Sequence, residues 1–199
     1  MGSRQDVDEW KVEMSIIYGE HVRLRAVERD DLKKYHEWLN DPEVTHGLAL
    51  YLPLSMVDEE GWFNSLAQRD PNEKPFAIDI KKGKTWKLIG SCGFHAIENQ
   101  NRCGELGIVI GDKTEWNKGF GAEVMILKQR HGFETLNLNR VFLRVYSDNI
   151  RAVRSYEKAG FVLEGRLREA HYQNGKYEDV LLMGVLRSEW DARKKKKEK

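Results

Sequence analysis

The stretch from Glu105 to Gly121 decides the fold, and it reads Glu-Leu-Gly-Ile-Val-Ile-Gly-Asp-Lys-Thr-Glu-Trp-Asn-Lys-Gly-Phe-Gly. Its first six residues predict a strand, because side chains alternate between the two faces of a sheet. Two glycines, Gly119 and Gly121, then lead into an apolar helical pattern. In such a strand–loop–helix unit several backbone N–H groups and the positive end of a helix dipole meet at one point, which suits a diphosphate.

Two known nucleotide-binding patterns do not fit this stretch. A Rossmann fingerprint needs a third glycine where the chain has Val124, and no Gly-Lys-Ser/Thr motif of a P-loop follows. Glycines leave room for a ligand beside the backbone, but a bare strand-to-helix turn also accommodates them. Both interpretations of Gly119 and Gly121 stay open on these residues alone.

Working outward, hydrophobic periodicity and turn residues predict the remaining elements. Strands are expected at residues 21–26, 76–80, 87–95, 103–110, 140–146, 161–172 and 177–186, and helices after Asp30, Ser55, Gly121 and Asn149. The last two strands flank Asn174-Gly175, a strong hairpin signal. The order β-α-α-β-β-β-α-β-α-β-β predicts a single α/β domain, with a mixed central sheet of about seven strands and helices on both faces.

Composition limits the class of protein. The 199 residues, 40% of them hydrophobic, suit one globular domain, and a net charge of +1 provides no global attraction to nucleic acid. No apolar run reaches the roughly 20 residues of a membrane span, no signal peptide is evident, and two cysteines do not make a disulfide scaffold. We therefore expect a cytoplasmic protein without a membrane or metal site.

Three regions are expected along the chain. Residues 1–18 are an N-terminal tail or tag, in which Met1-Gly2-Ser3 has the form of an expression remnant and Met14 could be the native start. Residues 19–188 form the domain. Residues 189–199 are a basic, solvated tail, whose lysines could make weak phosphate contacts with RNA.

Several motifs in order make the sequence similar to the GNAT superfamily of N-acetyltransferases. Trp116 to Gly121 resembles its diphosphate loop, and the segments Asp148-Asn149-Ile150-Arg151-Ala152 and Tyr156-Glu157-Lys158-Ala159-Gly160-Phe161 follow in the family's order. The resemblance runs from about His21 to Leu186. It points to the branch that holds ribosomal-protein N-terminal and spermidine acetyltransferases.

The resemblance implies direct transfer of an acetyl group from acetyl-CoA, with these residues at the cofactor. The diphosphate would lie at Trp116, Asn117, Lys118, Gly119, Phe120, Gly121 and Ala122, and the pantetheine arm along Ile108, Val109 and Ile110 and at Asn149. The N–H near Val109 would stabilise the oxyanion, and Tyr156 would protonate the leaving thiolate. Trp116 stands where the family usually has Arg or Gln.

An alkylamine with a pKa of about 10 must lose a proton before it attacks. Glu105 is the candidate general base, because its face of the strand should look into the acceptor cleft; a salt bridge or a surface position is the alternative. Helix packing is the alternative for Tyr156, and helix capping for Asn149. His95, His171 and Glu115 are weaker candidates for the acceptor site.

The acceptor stays open in the sequence. A small primary amine, such as a polyamine or an amino sugar, is the leading interpretation, and a protein N-terminus is the alternative. A CoA-binding or RNA-tethered accessory module is the non-enzymatic alternative, and a homodimer is compatible with all three.

Overall fold

An eight-stranded mixed sheet organises residues 16–197, the part of the chain that the computed structural model describes. Its strands, β1 to β8, are Ile17–Tyr18, Val22–Ala26, Phe76–Lys82, Thr85–Glu98, Cys103–Ile110, Arg140–Tyr146, Val162–Gln173 and Lys176–Leu186. They lie in the order β1-β2-β3-β4-β5-β6-β8-β7, and among these residues only β5 and β6 pair in parallel. The predicted mixed sheet is confirmed, with the short β1 as an added strand. The suggested expression remnant and Met14 lie outside the described residues.

Helices cover both faces of this sheet. Within the described residues, α1 to α6 are Leu32–Leu39, Pro42–Thr45, Met56–Ser65, Phe120–Arg130, Ile150–Lys158 and Arg187–Lys197, and a π-helical turn, His131–Thr135, extends α4. On β3, Ile78 packs with Val124 of α4, whereas its neighbour Ala77 packs with Leu32 and Tyr35 of α1. Strand alternation therefore assigns α4 to one face of the sheet and α1 to the other.

Local signals fix the start of α3, which carries residues of the candidate site. Ser55 is its N-cap: its hydroxyl accepts from the Asp58 N–H at 3.2 Å, and the Asp58 carboxylate accepts from the Ser55 N–H at 2.8 Å. This capping box satisfies two backbone donors that the helix itself leaves free. The next residue, Glu59, is thereby turned toward the interior, where it is 3% exposed.

The C-terminal region differs from the expected solvated tail, because residues 187–197 form α6. The ring of Trp190 lies 5.8 Å from that of Phe133, and the Arg193 guanidinium donates to the Ala159 carbonyl at 2.8 Å. A basic composition alone did not reveal these two anchors. They fasten the first turns of the helix to the end of α5 and to the π-helical turn.

A charged side chain is buried in the core without a hydrogen-bond partner. Lys128 of α4 is fully buried, and its ammonium lies 4.5 Å and 4.4 Å from the ring centroids of Phe76 and Phe94. Burial lowers the pKa of Lys128 to about 8. A shift of this size costs the fold about 3 kcal/mol at neutral pH. Cation–π contact with the two rings offsets part of this cost, and we expect desolvation to remain the larger contribution.

We expect Lys128→Met to raise the free energy of unfolding at pH 7 by about 1–3 kcal/mol, because an apolar chain of similar length replaces a buried charge. The folded pKa is depressed, so the wild type regains this stability as the pH rises from about 8 to about 10.5. The advantage of the variant should shrink over the same range. Urea denaturation at pH 7 and pH 10 measures both effects.

Lys158→Met, on the exposed side of α5, is the matched control for this experiment. It should leave the stability at both pH values nearly unchanged. A Lys128→Met protein that is less stable than the wild type at pH 7 would show that the two aromatic rings outweigh the desolvation.

Candidate active site

The parallel strands β5 and β6 separate after only three residue pairs. Cys103, Gly104 and Glu105 lie opposite Arg140, Val141 and Phe142, and no later pairing joins the two strands in the described chain. Beyond that point β5 pairs with β4 alone and β6 with β8 alone. Residues 106–110 therefore present backbone groups toward a gap in the sheet, where an extended ligand arm can pair like an added strand.

The predicted diphosphate loop leads from β5 into α4. Asn117 and Gly119 have positive φ, 61° and 89°. Gly119 is the N-cap of α4, and no side chain caps the first turn. A Cβ at Gly119 would meet no atom within 4 Å, so the free N–H groups of Phe120, Gly121 and Ala122 face open space. This is the arrangement that an anion needs at a helix N-terminus.

The two loop glycines serve different purposes. Gly119 supplies the left-handed conformation, which other residues adopt at a cost. Gly121 supplies space inside the protein, since a Cβ there would lie 3.1 Å from the Ser155 hydroxyl of α5. The second glycine therefore allows α4 and α5 to approach each other, which the sequence pattern did not distinguish from a ligand contact.

Lys118, which the resemblance placed at the diphosphate, is paired with a carboxylate in the loop. Its ammonium lies 3.0 Å from the buried carboxylate of Glu115, which Lys82 and Lys87 also contact at 3.1 and 3.0 Å. Burial alone would raise the pKa of Glu115, but the three lysines outweigh it and hold the pKa at about 2. Glu115 therefore anchors a local excess of positive charge behind the loop rather than lining the acceptor site.

Trp116, which stands where the family usually has Arg or Gln, makes two contacts that hold the loop. Its indole N–H donates to the Ile110 carbonyl at 2.7 Å, and the Arg151 guanidinium lies 3.3 Å from the ring centroid. The tryptophan thus fastens the loop to the end of β5 and places a guanidinium of α5 beside it. Arg151 belonged to a quoted motif, but its contact with Trp116 could not be read from sequence.

Tyr156 and Asn149 lie on the helix that follows β6. The Asn149 side chain accepts from the Ala152 N–H at 3.2 Å, so capping is one of its roles. Tyr156 is buried against Phe161, and burial raises its pKa to about 12. The phenol therefore stays protonated at neutral pH, as a proton donor must.

Glu105 forms a bidentate pair with Arg144. The guanidinium Nε and Nη2 lie 2.8 and 2.9 Å from the two carboxylate oxygens. Glu105 also lies in the paired part of β5, opposite Phe142, before the strands separate. This geometry supports the alternative that the sequence left open, in which Glu105 forms a salt bridge.

A cavity of about 340 Å³ opens on the face of the sheet that α1 and α3 cover. Val109 lies in its wall, together with Ser91 of β4. The rest of the lining is mostly aromatic and aliphatic, and comprises Tyr35, Trp38, Leu39, Leu50, Leu54, Asp58, Glu59, Trp62 and Gly90. The cavity therefore meets β5 at the residue where the sequence predicted the thioester. On the sequence alone, Trp38 and Trp62 are core or cleft wall, and Asp58, Glu59 and Glu60 are compatible with a polyamine acceptor without requiring one.

Two histidines that the sequence suggested lie near the gap. The ring of His171 stacks on Tyr146 at the end of β6, with 3.6 Å between centroids, and its Nδ1 lies 3.4 Å from the Tyr51 hydroxyl. His95 occupies a bulge of β4 and covers Gly107, where a Cβ would lie 1.9 Å from its Nε2. Neither ring belongs to the lining of the cavity.

Residues 16–197 contain no cluster of three or more His, Cys, Asp or Glu that could hold a metal ion. None of the helices described is long and apolar enough to cross a membrane.

Known proteins resemble this chain over most of its length. The spermidine N(1)-acetyltransferase of Vibrio cholerae is 33% identical over 170 residues, which are 85% of this chain and 95% of that protein. The uncharacterised N-acetyltransferase p20 of Bacillus licheniformis is 30% identical and covers 89% of this chain and 99% of its own length.

A solved structure shows the same architecture. The crystal structure of the Vibrio cholerae spermidine N-acetyltransferase in complex with CoA and spermine has a TM-score of 0.78 at 30% identity, over 86% of this chain and 99% of that one. The model of the acetyltransferase (GNAT) domain matches residues 21–162. The resemblance inferred from the sequence is thereby confirmed, and this chain belongs to the GNAT acetyltransferase family.

Proposed function

We propose that this N-acetyltransferase moves an acetyl group from acetyl-CoA directly to a primary amine of a small molecule. One observation carries the proposal: residues 106–110 border a gap in the sheet, lead through the loop to a helix N-terminus without a side-chain cap, and share Val109 with a partly open cavity. The helix N-terminus suits the diphosphate, the gap suits the extended pantetheine arm, and the cavity suits the acceptor. The CoA complex of the Vibrio cholerae relative supports this assignment.

The overall reaction replaces the thioester C–S bond with an amide C–N bond; the alkylammonium loses two protons, and the equivalent of one ends on the CoA thiolate and the other in solvent. The amine nitrogen, once deprotonated, attacks the thioester carbon, and the backbone N–H near Val109 stabilises the oxyanion. The tetrahedral intermediate then expels the thiolate of CoA as the C–S bond breaks. Tyr156, neutral at physiological pH, gives that thiolate a proton and regains one from solvent.

The cavity favours a small acceptor over a protein N-terminus. Its volume of about 340 Å³ lies at the lower end of the range for small-molecule sites, and helices and the 46–54 loop enclose it. The sequence suggested a polyamine or an amino sugar, and the spermidine acetyltransferases among the relatives agree with a small amine. A release assay for the CoA thiol, with a panel of small amines and N-terminal peptides, tests the class.

We expect Gly119→Asn to weaken CoA binding by about 10–100-fold, the equivalent of one lost charge-assisted hydrogen bond. Asparagine tolerates the positive φ of 89°, so the added side chain projects into the space reserved for the diphosphate without breaking the loop. Titration calorimetry with CoA measures the effect. Gly175→Asn is the matched control, because Gly175 also has a positive φ and open surroundings but lies in the β7–β8 turn. Equal CoA affinity in the two variants would refute the loop assignment.

We expect Tyr156→Phe to lower kcat by about 10²-fold or more and to change the KM for acetyl-CoA much less, since it removes a proton donor and keeps the packing. Steady-state kinetics with an accepted amine provide the measurement. Tyr177→Phe, in the exposed β7–β8 hairpin, should behave as the wild type. An unchanged kcat would mean that Tyr156 only packs α5 on the sheet.

Glu105→Gln separates the two interpretations of that carboxylate. Because Arg144 holds both oxygens, we expect a small loss of thermal stability and a pH–rate profile parallel to that of the wild type. A loss of 10²–10⁴-fold in kcat at neutral pH, fading toward the pKa of the amine, would instead assign the base to Glu105.

A further inference from the structure

One buried carboxylate in the cavity has no partner among the described residues. Glu59 is 3% exposed, makes no hydrogen bond or ion pair, and leaves Oε1 unsatisfied. Its neighbours differ: Asp58 is held by Ser55, and Glu60 reaches Arg29 at 3.5 Å. An unpaired carboxylate costs the fold several kcal/mol, so its presence beside a cavity indicates a ligand that completes it.

Three aromatic rings stand around the same cavity. The ring centroids of Tyr35 and Trp38 are 6.1 Å apart, and those of Tyr35 and Trp62 are 6.0 Å apart in an edge-to-face arrangement. Ring faces attract alkylammonium ions and bind apolar groups. Trp38 also covers Gly111, where a Cβ would lie 2.2 Å from its ring, so the aromatic wall reaches the end of β5.

The charge of the residues that line the cavity limits the charge of the ligand that it can bind. Of the two carboxylates in the lining, Asp58 already accepts hydrogen bonds from the Ser55 N–H and hydroxyl and is exposed, which leaves Glu59 as the single unpaired anion in that wall. A polyamine would bring further ammonium groups into an apolar wall, and each unpaired charge is expensive to bury. The hydroxyl-rich body of an amino sugar finds few polar partners there. A single amine on an apolar body matches the wall in both charge and polarity.

We propose that this cavity is the acceptor site, that it takes a primary monoamine with an alkyl or aryl body, and that Glu59 receives the proton of its ammonium group. The proposal rests on the acetyl transfer proposed above and specifies its acceptor. Val109 belongs to the same cavity wall, so an amine held at Glu59 stays near the thioester.

The proton balance closes with these groups. The alkylammonium gives one proton to the Glu59 carboxylate, and the free amine forms the C–N bond with the thioester carbon. The nitrogen loses its second proton to water as the amide forms, while the C–S bond breaks and the thiolate takes one proton from Tyr156. Solvent then reprotonates Tyr156 and takes the proton held by Glu59, so each turnover releases one proton overall. Burial raises the pKa of Glu59, which improves its match to an amine; His36 on α1 lowers that pKa and Asp58 raises it.

Glu59→Gln tests the site, with Glu60→Gln as the matched control on the exposed side of α3. With 2-phenylethylamine or pentylamine we expect kcat/KM to fall by about 10²-fold or more at neutral pH in Glu59→Gln and to recover toward pH 10. Glu60→Gln should stay within about twofold of the wild type. The melting temperature of Glu59→Gln should equal or exceed that of the wild type, because the variant loses an unpaired buried charge.

The acceptor preference is measured as kcat/KM of the wild-type protein with the two monoamines, spermidine, glucosamine and an N-terminal peptide. A preference for the monoamines supports the proposal. A preference for spermidine, glucosamine or the peptide overturns it, and the transferase assignment survives. An unchanged kcat/KM in Glu59→Gln, or a loss that does not fade with pH, overturns the role of Glu59. Absence of thiol release with every amine, despite tight CoA binding, would contradict the proposed function itself.

Discussion

The separation of β5 from β6 is the constraint on which the rest of the site depends. A continuous parallel pair would satisfy every backbone group of both strands and would leave no edge inside the sheet. Here the pairing stops at Glu105, and β4 on one side and β8 on the other keep each strand in place. Hydrogen-bonded neighbours therefore hold the strands on both sides of the gap. The Trp116 indole N–H donates to the Ile110 carbonyl at the end of β5, and α4 and α5 follow β5 and β6 in the chain.

Three buried charged residues of this fold differ in how their charge is compensated. Glu115 is compensated by three lysines, which lower its pKa and stabilise the loop in front of α4. Lys128 lies against two aromatic rings, and burial lowers its pKa. The Glu59 carboxylate, at a cavity wall, has no partner in the part of the chain that the structure describes. The first arrangement is structural and the second is tolerated. The third is the kind of unsatisfied group that functional sites retain at the expense of stability.

The sequence predicted the elements well, because their signals are local. Ser55 and Asn149 cap helices through side chains that reach only three residues along the chain, and Asn174-Gly175 turns a hairpin within itself. The glycine pattern of the predicted diphosphate loop also lies within a short window. Two of the missed elements depend on distant contacts: α6 is anchored through Trp190 to Phe133, and β1 pairs with β2. The short α2, which Asp41 caps locally, was missed as well.

Sequence by itself determined the fold class and the family, and it predicted residues for the cofactor, since periodicity, caps and a glycine loop are encoded within short windows. Tertiary structure alone decided which charged residues have partners. Glu105, Lys118 and Glu115 each have a partner 3 to 39 residues away, and the Glu59 carboxylate has none within residues 16–197. A short stretch of sequence does not show whether a carboxylate has a partner. Whether it is neutralised, exposed or left bare at a cavity depends on what the fold packs against it, and that is a property of three-dimensional neighbours.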